Sequence, residues 1–132
     1  MSNEYRETVF SAECDIEKAE GDRGVASIQL NPRPFIITSI RHEIVRGEGT
    51  PPQQDGLYRI SWTLDDQVQF YKGPAPMARS YLGSVETGIW KEWDQPIEAG
   101  ASQNLIVTII NAMERNEPFR VQVQFHGVEK VR

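Results

Sequence analysis

Two histidines, His42 and His126, are the side chains in this sequence best suited to move a proton or hold a metal near neutral pH. Neither has an Asp, a Cys or a second His at a chelating spacing, so each reads as a structural histidine, hydrogen-bonded or at the surface. Asp65 and Asp66 form an adjacent carboxylate pair. Carboxylates that hydrolyse a glycoside must face one another across a cleft, whereas neighbours in a turn diverge. Turn chemistry is the expectation there, with a calcium ligand pair behind it, and neither Glu43 nor Asp94 is marked as a distant partner. No G-x-S-x-G, P-loop, G-x-G-x-x-G or H-E-x-x-H pattern occurs. Cys14, the one cysteine, has no partner for an internal disulfide and cannot seed a zinc site alone. The expectation is no enzyme, no catalytic residue, no metal and no cofactor.

Aromatic residues offer a different chemistry. Trp90 and Trp93 stand three apart in GIWKEWDQP, and Tyr71 and Tyr81 flank a Gly/Pro-rich stretch. Exposed Trp and Tyr stack on sugar rings or anchor protein contacts. The same residues also suit plugging the ends of a sandwich. Phe10 is a further apolar anchor, in the N-terminal stretch.

The elements that must position these residues have a period of two. VASIQL (25–30), FIITSIRHEIV (35–45) and LYRISWTL (57–64) read as strands. Asp65-Asp66 turns the chain into QVQFY (67–71), a hairpin. NLIVTII (104–110) is apolar and β-branched, a central buried strand, and Phe119–Val128 is the last strand. The first half of 35–45 looks buried on both sides. Short extended pieces are expected near Met77–Leu82 and Ile89–Trp93, and 46–56 and 111–118 read as connectors. Residues 1–24 read as an N-terminal arm, with a helical turn or two over SAECDIEKAE and anchors at Tyr5, Val9, Phe10 and Ile16. The fold expected over 25–132 is a single all-β domain: an antiparallel, jelly-roll-like β-sandwich of seven to nine strands preceded by the extended arm.

The last strand carries an unusual face. Phe119, Val121, Val123 and Phe125 point one way, and Arg120, Gln122 and Gln124 the other. Solvated strands usually carry Lys and Glu. Glutamine hydrogen-bonds in either sense and costs less to desolvate than an ion, so Gln122 and Gln124 suit a face that something covers. Gln67, Gln69 and Gln29 repeat the theme.

Composition bounds the rest. At 132 residues, 39% hydrophobic and 25% charged, the chain fits one domain with a core of its own. A net charge of −5 with no Lys/Arg run argues against nucleic acid and against a membrane-surface helix. MSNEYRETVF lacks the pattern of a secretory signal, and no apolar run approaches a membrane span, so synthesis in the cytoplasm is expected.

The stretches PFIITSIRHEIV, QDGLYRISW, GSVETGIWKEW, PIEAGASQNLIVTIIN and RVQVQFHGVE resemble the small jelly-roll decoration (cement) and minor capsid proteins of bacteriophage particles. The resemblance covers about residues 25–130 in strand rhythm. It implies a non-enzymatic virion protein that clamps the major capsid protein or other subunits and forms a dimer or trimer. The partner-binding residues read from the sequence itself are Phe10, Tyr81, Trp90, Trp93, Gln122 and Gln124. The alternative is a carbohydrate-binding or receptor-binding β-sandwich module using Tyr81, Trp90 and Trp93 as a platform.

Overall fold

A computed structural model describes residues 5–30, 33–46, 58–65, 67–68, 74–78, 91–99 and 103–130. Among these residues are eight strands: β1 (Tyr5–Ile16), β2 (Arg23–Gln29), β3 (Phe35–Arg46), β4 (Tyr58–Leu64), β5 (Gln67–Val68), β6 (Lys91–Ala99), β7 (Asn104–Asn111) and β8 (Phe119–Lys130). They form two four-stranded sheets, β1-β8-β3-β6 and β2-β7-β4-β5. Every pairing is antiparallel. The protein is an all-β sandwich. Each strand also pairs with the one whose number brings the sum to nine: β1 with β8, β2 with β7, β3 with β6, β4 with β5. A long hairpin folded over itself gives this order.

Alternation explains where the core lies. On β8, Phe119, Val121, Val123 and Phe125 face inward, each at most 2% exposed. On β4, Tyr58, Ile60, Trp62 and Leu64 do the same from the opposite sheet. Trp62 meets Phe125 edge-on across the interior, with ring centroids 5.3 Å apart. Each such side chain contributes about 2–3 kcal/mol of burial free energy. β7 does hold a central position, between β2 and β4. Its burial alternates, however: Leu105, Val107, Ile109 and Asn111 are buried, and Ile106, Thr108 and Ile110 between them are only half-buried. A run of β-branched residues carries no phase of its own, so the sequence overstates its burial.

The N-terminal stretch departs from expectation. Tyr5–Ile16, read as part of an arm, is a strand aligned with β8 along its whole length. The helical turns expected over 11–20 are replaced by strand to Ile16 and a turn beyond it. The reason lies in small residues. Ala12, Cys14 and Ile16 alternate inward at 2% exposure or less, whereas Tyr5 and Val9, named as anchors, face out at 51% and 48%. Ala and Cys carry little weight in a hydrophobic scan, yet they fill narrow space near a sheet edge.

β3 looked buried on both faces over its first half because it changes phase. Its register to β8 slips between Ile37 and Ser39, which leaves Thr38 as an extra residue opposite Gly127 and His126. Phe35 and Ile37 point inward before the bulge, and Ile40 and His42 after it. Such a bulge re-aims the side chains that follow it. Thr38 Oγ1 donates to the His126 carbonyl oxygen at 3.2 Å, occupying an acceptor the ladder leaves over. Gly127 sits against this kink: a Cβ there would overlap the Ile36 carbonyl oxygen.

Candidate binding face on the first sheet

β8 is the second strand of the first sheet, and its outer side chains are flanked by β1 and β3. Gln122 stands opposite Glu13 on β1 and Glu43 on β3, and Gln124 opposite Ser11 and Arg41. Gln124 Nε2 donates to Gln122 Oε1 at 3.1 Å, and Gln122 Nε2 donates to Glu13 Oε1 at 3.3 Å. At the end of the row Arg120 Nε donates to Asp15 Oδ1 at 2.7 Å, and its Nη1 lies 3.6 Å from Glu13 Oε2. The hydrogen bond and charge of Asp15, with the charge of Glu13, hold the Arg120 guanidinium protonated above its ordinary range. Arg41 and Glu43 form a looser pair at 4.0 Å. Both glutamines are half-buried. Part of the cover that the sequence calls for is thus lateral, supplied by neighbouring strands.

This row is a patterned polar surface. Amides run along β8, flanked by paired ions on β1 and β3, and offer hydrogen bonds at fixed spacing, without net charge concentrated at one point. The residues named from sequence do not converge on it as a group. Gln122 and Gln124 lie on it. Phe10 lies on the inward side of β1 and packs edge-on against Phe35, with centroids 4.8 Å apart. Trp93 falls on β6, at the far edge of the same sheet. Tyr81 and Trp90 lie outside the described residues, as does Asp66.

The titratable candidates are engaged in structure. His42 is 2% exposed, and its Nδ1 is hydrogen-bonded to the Tyr58 hydroxyl across the interior, joining the two sheets. His126 Nδ1 lies 3.4 Å from Ser39 Oγ at the bulge. Asp65 adopts φ 48° in the β4–β5 turn, and its Oδ1 accepts the Asn104 N–H at 2.9 Å. Asp is among the few residues that tolerate this conformation. Among the described residues no group of three or more His, Cys, Asp or Glu could hold a metal ion.

Sequence reading missed a buried knot at one end. The Asn111 amide donates to the Lys18 and Ala19 carbonyls at 3.0 Å each, and its Oδ1 accepts from Met113 N and Arg115 Nε at 3.2 Å. Arg115 lies over the Phe119 ring, 4.1 Å from its centroid. A polar residue at an inward position, closing the rhythm Leu105, Val107, Ile109, was the available signal. At the opposite end Glu129, 1% exposed, accepts from Arg6 at 2.7 Å.

No protein-family model matches the chain, and no curated protein matches it. Solved structures resemble it distantly. A chain of the acid-stable capsid of Helicobacter pylori bacteriophage KHP30 aligns at TM-score 0.44 and 11% identity, covering 98% of this chain and 99% of that one. FLHE aligns at 0.36 and 8%, covering 90% and 96%. PliG of Aeromonas hydrophila, a periplasmic inhibitor of g-type lysozyme, aligns at 0.33 and 8%, covering 92% and 85%. At TM-scores below 0.5 these likenesses carry no function across to this chain.

Proposed function

We propose that the chain is a non-enzymatic structural protein of a virion, a capsid decoration (cement) or minor capsid protein that binds neighbouring subunits. One observation carries the reading. The polar groups buried between the sheets hold the fold: His42 to Tyr58, Asn111 to Arg115 and the β1–β2 turn, Glu129 to Arg6. Recognition then falls to the outer surfaces, of which the Gln122–Gln124 row is the most patterned. The pairing of strands to a sum of nine supports the jelly-roll reading, an architecture that viral capsid domains share with lectins and cupins. The stretches that resemble phage jelly-roll proteins fall in large part on β3, β4, β7 and β8. The partner is the major capsid protein or another virion subunit. Gln122 and Gln124 set register, and Tyr81, Trp90, Trp93 and the exposed part of Phe10 supply apolar anchoring.

Particles purified from the source on a density gradient test this, with the chain quantified by peptide mass spectrometry. The proposal expects it to co-band with particles at a fixed ratio to the major capsid protein. Recovery only in the soluble fraction contradicts it.

A further inference from the structure

We propose that the free edge of β1 pairs antiparallel with β1 of a second copy about a two-fold axis at Val9. The inference deepens the functional reading by naming one partner and its register.

Four strands stand at sheet edges, and β1 differs from the other three. Over the described residues β5 has 2 and β2 has 7. β6 contains Pro96, which has no N–H to donate, and its register to β3 is broken. β1 has 12 residues, no proline, no glycine and an unbroken register to β8. Among the described residues no strand pairs with its other side. Such an edge presents a row of backbone donors and acceptors to another strand.

Occlusion by β2 selects the segment that pairs, and the charge pattern is compatible with it. The C-terminal end of β1 is occupied by β2: Gly24 lies so close to the Asp15 carbonyl that a Cβ would overlap it, and Ala26 hydrogen-bonds Cys14 from its backbone. Against the described residues, residues 5–13 remain open, and pairing all nine with themselves centres on Val9. Charge agrees with that centre. The outward face of β1 carries Tyr5, Glu7, Val9, Ser11, Glu13 and Asp15. Centring on Phe10 sets Glu7 against Glu13, and centring on Ser11 sets Glu7 against Asp15. Centring on Val9 sets Glu7 against Ser11 and Tyr5 against Glu13, with no like charges opposed. It also joins the two Val9 side chains, each 48% exposed in the single chain. Like charges directly opposite destabilise a strand pair, and apolar pairs stabilise it.

Sedimentation velocity on the full chain reads this. The expected mass is twice the 15.0 kDa of one chain. Ser11→Glu opposes Glu7 twice in the dimer and raises its dissociation constant about tenfold, Ser11→Lys lowers it about tenfold, and Glu7→Lys with Ser11→Glu, which again sets unlike charges opposite one another, lowers it below the wild-type value as Ser11→Lys does. Val9→Lys, at the axis, yields monomer. These positions are exposed, and an unchanged circular dichroism spectrum certifies the fold of each variant. A chain that stays monomeric at roughly 100 µM overturns the proposal, and so does a dimer indifferent to the Ser11 substitutions. Monomeric chains that still load onto particles overturn this contact alone and leave the virion reading standing.

Discussion

Cys14 shows how much a single position depends on its surroundings. It is fully buried, with its Sγ 3.7 Å from the Val107 carbonyl oxygen. Burial above all, and then the charge of Asp15, pushes its thiol from 9.0 up to about 11. The folded chain therefore holds this proton more tightly than the unfolded one. The stabilisation is complete below pH 9 and is lost as pH rises through 11, by about 2–3 kcal/mol. Urea unfolding at pH 8 and pH 11, for the wild type and Cys14→Ala, isolates it from other groups titrating there. A smaller pH loss is expected in the variant, and equal losses contradict the assignment. The position of Cys14 was not legible in the sequence, because SAECDIEKAE fits a helical period as well as an alternation of Ala12, Cys14 and Ile16. Gln122 and Gln124 were legible as unusual, yet not their partners. Glu13, Arg41 and Glu43 are distant in sequence, and only strand pairing brings them alongside.

Among the elements, β3 carries the clearest lesson. Its alternation was visible on either side of Thr38, but the phase change was not, because a bulge is fixed by the partner strand. Gly127 serves the bulge from the partner strand: it admits the Ile36 carbonyl where the ladder kinks. Gly127→Ala forces backbone against backbone, so neither side can relax by rotating a side chain. A loss of about 2 kcal/mol is expected, read as a lower urea midpoint at constant slope. An unchanged midpoint contradicts the close approach. The same substitution at an open strand position has no such obstacle, so the effect belongs to the bulge rather than to glycine in general.

At the scale of the whole molecule, strand rhythm revealed faces and hence a sandwich, while the pairing order came only from three dimensions. Alternation says which residues share a side; it does not say that β1 meets β8 or that β2 meets β7. The Asn111–Arg115 knot was hidden for the same reason, since it joins the turn after β1 to the connector before β8. The proposed function assigns recognition to the exterior, since the described buried polar groups tie the two sheets together. Reconstruction of the intact particle by electron cryomicroscopy tests that assignment most directly. The account predicts density for this sandwich with the Gln122–Gln124 face of the first sheet buried against a neighbouring subunit. Density in which that face is open to solvent and a different surface makes the contact would contradict it.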